Sequence, residues 1–523
     1  MHERLDQAID ACSNNHLQSS FFDFEKAIRE HVAALGLLLI SLFLLVRHQR
    51  LDLTPWRQLG FRIGESHAER NLHTTFGELR YRRDYLIPSP GSKGSGVHPL
   101  DAELGLTRDG YSPLVISWFS RLCTRLSFGL SSNLGGMFLG WAPAASTIEE
   151  WALGLGRPAY GWLSSGPLPQ GDGEILVIEC DCKAIPTATE EELDKRRGPR
   201  KCKTEGCNCK RRKCKTEGCN CKRHRGRASR KAHGPKKKRK RGDKSKNGRS
   251  ATLVAMYTLK CGEDGKLHGP INKKIFATFS SREKALQWAR EQATRRGFPP
   301  DTHKTIQLVV DGEICLEQQL RGLFPQAILT LDIRHAQERL WRVGRLLHKE
   351  DSEELAAWVE PLGELLYNGE IQELLKQLEA VQFHGPGSKA KREGQSKAIE
   401  YLRKRVGLME YGKWREQDLV LASGVVEGAA RYVVGERLDC SGMRWVVERA
   451  EAVLLLRCIE VNGDWDGFFA WSQQQWQEEL RQGKAVQIRS EKPTQLPQLN
   501  QQSEKRRRSR KVAAATAETA MAA

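Results

Sequence analysis

Two aspartates at the ends of apolar runs and one glutamate far downstream are the residues best suited by type and spacing to do chemistry. Asp181 lies near the end of EILVIECDC at 174–182, and strand alternation turns it away from Leu176, Ile178, Cys180 and Cys182. Asp311 directly follows a second apolar run in VVDGE, where a carboxylate is costly to bury unless it is paired or bound. A turn-forming Asp-Gly pair is the plainer reading of those residues. Glu427 opens the helical stretch SGVVEGAARYVVGERL with Arg431 one turn later, and an ordinary surface ion pair is its plainer reading. Taken together, two strand-end aspartates and a later glutamate make the kind of set that holds two divalent cations about 3.5 to 4 Å apart for phosphoryl transfer. Hard oxygen donors suit Mg²⁺ or Mn²⁺. One ion would activate water or a hydroxyl nucleophile and the other would stabilise the leaving oxygen.

A second constellation is made of cysteines. RKCKTEGCNCKR occurs twice without change, at 200–211 and 212–223, and supplies Cys202, Cys207, Cys209, Cys214, Cys219 and Cys221. The repeat has no large apolar residue, so no hydrophobic core can order it. Thiolates bind Zn²⁺ tetrahedrally, and six could hold two ions if two sulfurs bridge. His224 stands next in the chain as a further donor, and the surrounding Lys and Arg would lower the thiol pKa values. A basic linker with incidental cysteines is the alternative. Six of the fourteen cysteines crowd into these 20 residues, which in a reducing compartment favours metal thiolate over disulfides.

The charge is equally local. Residues 195–249 hold 26 Lys/Arg against 3 Asp/Glu, leaving 58 against 61 in the rest of the chain, although the whole carries +20. A basic device inserted in an ordinary globular protein implies a polyanionic partner. Its densest part is Lys236, Lys237, Lys238, Arg239, Lys240 and Arg241. PKKKRK also resembles a nuclear localisation signal, but runs of this density bind nucleic acid by counterion release in any compartment and without choosing a sequence.

Elements that must position these groups follow from pattern. At 523 residues the chain is long enough for roughly three domains. No secretory signal fits its start, and the apolar run at 32–46 is short of the roughly 20 residues a span needs, so it is read as a buried helix. FGELRYRRDYL at 76–86 reads as a strand. Residues 111–155 read as three short helices, resembling a helix-turn-helix in rhythm but also fitting a packing subdomain, with Ser146 or Thr147 capping the last. Strands are then expected at 174–182, 251–260 and 273–280. A helix capped by Ser280 with Glu283 follows, bearing Ala285, Trp288 and Ala289 inward. Strands at 304–310 and 326–333 flank a helix at 316–323, and 336–409 is helical apart from a Gly/Lys-rich loop at 384–394. A three-strand meander followed by alternating helices and strands is the order of a ribonuclease H-like α/β domain with a mixed sheet.

The blocks ECD, VVDGE, LDIRHAQERLW and SGVVEGAARYVVGERLDCSGMRW resemble the DDE transposases of bacterial insertion sequences, near the Kra-type group and more distantly the Mutator-like superfamily. The likeness covers roughly 60–470. It implies that Asp181, Asp311 and Glu427 form a catalytic triad and that Asp332 with His335 matches an auxiliary Asp-x-x-His motif. A strand-terminal Asp capping the next helix, with a packed His, is the structural alternative for that pair. This chain departs from the family by inserting about sixty residues after Asp181, which makes Glu179 a reserve candidate. The cysteine segment resembles the CXC domains of tesmin-like and Polycomb-associated DNA-binding proteins, with six cysteines where those have nine.

The expected organisation is a helical N-terminal region at 1–65, a strand with a DNA-end-binding helical region at 66–165, and a ribonuclease H-like core at 166–335. The cysteine-rich basic insert at 195–249 lies inside that core; a helical insertion at 336–415, final core helices at 416–485 and a disordered basic tail at 486–523 complete it. The resemblance implies DNA strand cleavage at element ends and 3′-hydroxyl strand transfer to target DNA, with two Mg²⁺ or Mn²⁺ in the site and Zn²⁺ in the insert. Double-stranded DNA and a homo-oligomer on it are the expected partners, with no membrane. The expected location is the cytoplasm, at the bacterial nucleoid, or the nucleus of a eukaryotic host. Arg431, Arg437 and Arg444 are candidate phosphate contacts. The rival is a non-catalytic zinc-dependent DNA-binding regulator or inactive transposase relic.

Overall fold

A computed structural model describes residues 2–13, 20–90, 95–190, 192–193, 248–440 and 442–489. The six repeat cysteines, His224, the basic run at 236–241 and the tail from 490 onward lie outside the described residues.

Near the N-terminus, β1 (Phe61–Thr74) and β2 (Gly77–Pro88) form an antiparallel hairpin against the long helix Phe21–Gln49. The main sheet has five strands. β3 (Ile175–Pro186), β4 (Gly248–Cys261) and β5 (Leu267–Thr278) make an antiparallel meander, and β6 (Ile306–Val310) and β7 (Ile328–Leu331) continue it in parallel from β3. The spatial order is β5-β4-β3-β6-β7. Residues of β4 from Ala251 to Leu259 are all buried, as expected of a strand covered on both faces. Residues 195–247 sit in the connection between β3 and β4, whose ladder runs from Ile175↔Leu259 to Pro186↔Gly248.

Helices Pro113–Arg125, Phe128–Leu139 and Ala145–Ser165 share one core with this sheet. Phe119, Trp151 and Leu155 are buried in the same cluster as Phe276, Trp288 and Leu454. The Trp288 indole N–H donates to the Leu163 carbonyl at 2.8 Å, and its ring stacks on Phe276 with centroids 4.7 Å apart. Helix Ala145–Ser165 crosses helix Val447–Val461 closely because Gly156 has no side chain: a Cβ there would fall 2.5 Å from the Ala452 Cβ. Gly156→Val should therefore cost about 1 to 3 kcal/mol of stability by overpacking. A urea midpoint equal to that of the natural chain would show that the two helices can part without cost.

Several elements differ from expectation. The apolar run is part of a 29-residue helix and is not buried: Val32, Leu39, Leu42, Phe43 and Leu45 are exposed, and only 6% of its most apolar window is covered. By length and composition this helix could cross a membrane. What it does bury is a stripe, with Leu37, Ile40 and Leu44 packed on Leu72, Leu79 and Tyr81 of the hairpin. β1 is a strand where a helical region was expected up to residue 65. Ala144, not Ser146 or Thr147, stands at the N-cap of the third helix, and Ser281 rather than Ser280 caps Arg282–Arg295, its hydroxyl accepting the Lys284 N–H. Ala285, Trp288 and Ala289 do face inward. The expected loop at 384–394 is helical from Ser388, in Ser388–Arg403. The expected tail begins later than 486: Val486 and Ile488 are buried, and the Ile488 and Arg489 N–H groups donate to the Asp109 carboxylate.

Candidate active site

Strand register sets the site. β3 and β6 run in parallel with Glu179 opposite Val309, and β6 and β7 with Val310 opposite Leu331. Two residues beyond the first pair stand Asp181 and Asp311; one beyond the second stand Asp311 and Asp332. Asp181, midway along β3, therefore lies beside Asp311 just past the end of β6, and Asp311 beside Asp332 just past the end of β7, so the three line up where the two parallel strands stop, the end of an open sheet where ligands bind. Alternation puts Asp181 on the face of Val177 and Glu179, and Asp311 on that of Val309. Val177, Val309 and Tyr257 cluster on this face against Val420 and Val425, in the segment that delivers Glu427.

Asp332 joins the sheet to that segment. It is fully buried and caps helix Ile333–Leu347, one oxygen accepting the Arg334 N–H at 2.7 Å. The other oxygen accepts the Ser423 N–H at 3.0 Å and the Ser423 hydroxyl. Ser423 immediately precedes the short helix Gly424–Ala429, which carries Glu427 and runs into a π-helical turn at Ala430–Gly435, a distortion frequent at functional sites. Through this tie the ligand atoms of Asp332, His335 and Glu427 all lie within 4.8 Å of one another. The structural reading of Asp332 as a cap and its place beside Glu427 thus hold at once.

Asp311 stands in the turn that its plainer reading describes. Gly312 has φ +83°, and one Asp311 oxygen accepts the Glu313 N–H at 2.9 Å, so the pair does form a turn. The helical insertion grips that turn from outside: the Tyr401 hydroxyl donates to the Asp311 carbonyl at 2.8 Å, and the Arg405 guanidinium Nε donates to the Gly312 carbonyl at 2.9 Å. Asp181 accepts the Cys182 N–H at 2.6 Å. Among the described residues, hydrogen bonds reach only one carboxylate oxygen of Asp181 and one of Asp311.

Burial and neighbouring carboxylates raise the proton affinity of Asp181 and Glu427. Burial lifts the Asp181 pKa above its usual range and the Asp311 charge adds to it, against the Cys182 N–H, His335 and Lys183. Burial and then the Asp332 charge lift Glu427, against Arg334 and His335. Crowded carboxylates of this kind are relieved by a bound divalent cation, which favours their charged forms. Their donor chemistry fits Mg²⁺ or Mn²⁺, with the His335 imidazole as a neighbouring softer donor.

Glu179 sits deeper, on the same face but wholly shielded. Its two oxygens accept the Tyr257 hydroxyl and the Val426 N–H, both at 2.7 Å, so it supports the start of the Glu427 helix from beneath. Burial is the main reason its pKa rises from 4.5 to about 7. The folded chain then holds a proton there that the unfolded chain releases first. Its contribution to stability is complete below about pH 4.5 and is lost as pH rises through about 7. Glu179→Gln should flatten the fall in urea midpoint across that interval; an equally steep fall in the variant would mean that the slope has another origin.

Arg437 is corrected: it is 1% exposed, donates to the Cys123 carbonyl and stands over the Phe128 and Trp445 rings, so it packs the core and touches no phosphate. Arg431 is exposed and 3.9 Å from Glu436, not paired to Glu427, and Arg444 is half-buried. Pattern reading missed the Glu179–Tyr257–Val426 prop and the Tyr401–Arg405 grip. The only signal for the first was an acid inside an apolar run. Compared with protein-family models and with curated proteins, the chain finds no match.

Proposed function

We propose that the chain is a DNA transposase that cleaves strands at element ends and joins the freed 3′-hydroxyl to target DNA. The observation that carries this reading is the alignment of Asp181 with Asp311 and Asp332 where β6 and β7 end, with Glu427 held beside Asp332 and His335 by the Asp332–Ser423 tie. A three-strand meander extended by two parallel strands supports a ribonuclease H-like core. In this reading Asp181, Asp311 and Glu427 hold two Mg²⁺ or Mn²⁺ ions, and Asp332 and His335 adjoin them. The bound cations would supply Lewis-acid stabilisation of charge on phosphoryl oxygens.

The protein's own part is placement. Tyr401 and Arg405 fix the Asp311 turn, Glu179 fixes the start of the Glu427 helix, and Asp332 fixes the distance between that helix and β7. The insert contributes affinity: Cys202, Cys207, Cys209, Cys214, Cys219 and Cys221 would hold Zn²⁺, and Lys236 to Arg241 would bind backbone phosphates along double-stranded DNA.

Concentration of the charge surplus in 195–249 favours a second reading, a zinc-dependent DNA-binding protein without catalysis. The two part on DNA carrying the gene's own flanks. Mg²⁺- or Mn²⁺-dependent nicking at a defined flank supports the transposase; tight binding without nicking in either metal supports the regulator.

A further inference from the structure

Far from the strand ends, His48, His67 and Asp84 bring their ligand atoms within 4.8 Å of one another. They come from three elements. His48 is in the last turn of helix Phe21–Gln49, Asp84 is on β2, and His67 is on β1 at a bulge where the register shifts between Glu65 and Ala68. His67 has φ +59°, a conformation that side-chain-bearing residues adopt at some cost, and bulges commonly re-aim a side chain.

We propose that these three residues bind one Zn²⁺ ion, separate from any metal in the cysteine-rich insert, and that the ion pins the end of the exposed helix to the hairpin. Two donors bound at about 2.0 Å with a tetrahedral angle stand about 3.3 Å apart. His48 Nε2 and Asp84 Oδ2 are 3.2 Å apart, so an ion can replace the proton between them without moving either. The other Asp84 oxygen accepts the His67 N–H at 3.1 Å, and the Asp84 carbonyl is 3.1 Å from His98 Nδ1. The carboxylate is thus oriented by a backbone N–H, and its main chain is held by His98, as in metal sites whose outer hydrogen bonds set the ligand geometry. The His48 and His67 rings meet edge to face with centroids 5.7 Å apart, and the side chains of His48 and Asp84 are 12% and 17% exposed. Two imidazoles and one carboxylate are a zinc donor set, with water as the fourth ligand.

The test uses the full chain stripped by a chelator and reloaded with Zn²⁺ or Co²⁺, beside His48→Ala and His67→Asn, the latter chosen because Asn tolerates positive φ. Each variant should hold one Zn²⁺ fewer per chain than the natural protein, keep its thiolate-to-cobalt charge-transfer absorption, and show a smaller rise in melting temperature on adding Zn²⁺. Metal-free, each should melt close to the metal-free natural chain, which separates lost binding from lost folding. Equal zinc content in all three proteins, or loss of the thiolate band along with the zinc, would overturn the site. Neither result depends on whether the chain cleaves DNA.

Discussion

Asp332→Ala should be the most damaging single change at the site, lowering stability by about 2 to 4 kcal/mol, because it leaves buried hydrogen-bond donors without an acceptor. The substitution strands the Arg334 and Ser423 N–H groups and the Ser423 hydroxyl, all of which donate to this carboxylate inside the protein. It also releases the segment that holds Glu427 beside His335. Asp332→Asn keeps the shape and part of the acceptor set, so its stability cost should be smaller, about 1 kcal/mol, while metal-dependent cleavage still falls steeply. Urea midpoints and cleavage rates measured on the same two variants separate the structural duty from the chemical one. An Asp332→Ala protein as stable as the natural chain would remove the tie between β7 and the Glu427 helix from the account.

The second large effect belongs to the basic run. Replacing Lys236, Lys237, Lys238, Arg239, Lys240 and Arg241 by alanine should weaken binding to every DNA tested, on the order of 10³-fold at low salt. The slope of log affinity against log salt should shrink by about 5, because each lost phosphate contact removes about 0.9 of a released counterion. Preference among sequences should not change, since phosphate contacts position without reading bases. Fluorescence anisotropy across a salt series measures both quantities. An unchanged slope would mean that these six charges do not meet DNA.

The main sheet was legible because its strands contain apolar runs bounded by Gly, Pro or charge, and all five overlap the expected places, although β3 runs on to Pro186 and β5 starts at Leu267, where pairing with β4 carries the strand into polar sequence. β1 was not, because FRIGESHAERNLHT is mostly exposed and charged and is a strand through its pairing with β2. Helix Phe21–Gln49 was misjudged for a related reason: apolar content marks what could be buried, whereas coverage depends on what packs there, and only one stripe meets the hairpin.

At the site, Asp181 and Asp311 could be singled out because an acid in or just after an apolar strand is costly and so stands out against its surroundings, and Glu427 through the block SGVVEGAARYVVGERLDCSGMRW that carries the family resemblance. Their mutual placement could not. It depends on the parallel registers of β3, β6 and β7 and on a hydrogen bond between Asp332 and Ser423, 91 residues apart in the chain. Glu179 shows the same limit from the other side. It shares a strand face with Asp181, but only the fold puts Tyr257 and Val426 on its two oxygens and so makes it a support.

The most direct measurement compares cleavage and binding on one DNA carrying the gene's own flanks, with Mg²⁺ or Mn²⁺, for the natural chain, Asp311→Ala and Glu427→Ala. The account predicts cleavage at a defined flank by the natural chain, a loss of about 10³-fold or more in both variants, and DNA affinity unchanged within about twofold. Cleavage that persists in either variant while binding is intact would contradict the assignment of that carboxylate to the reaction.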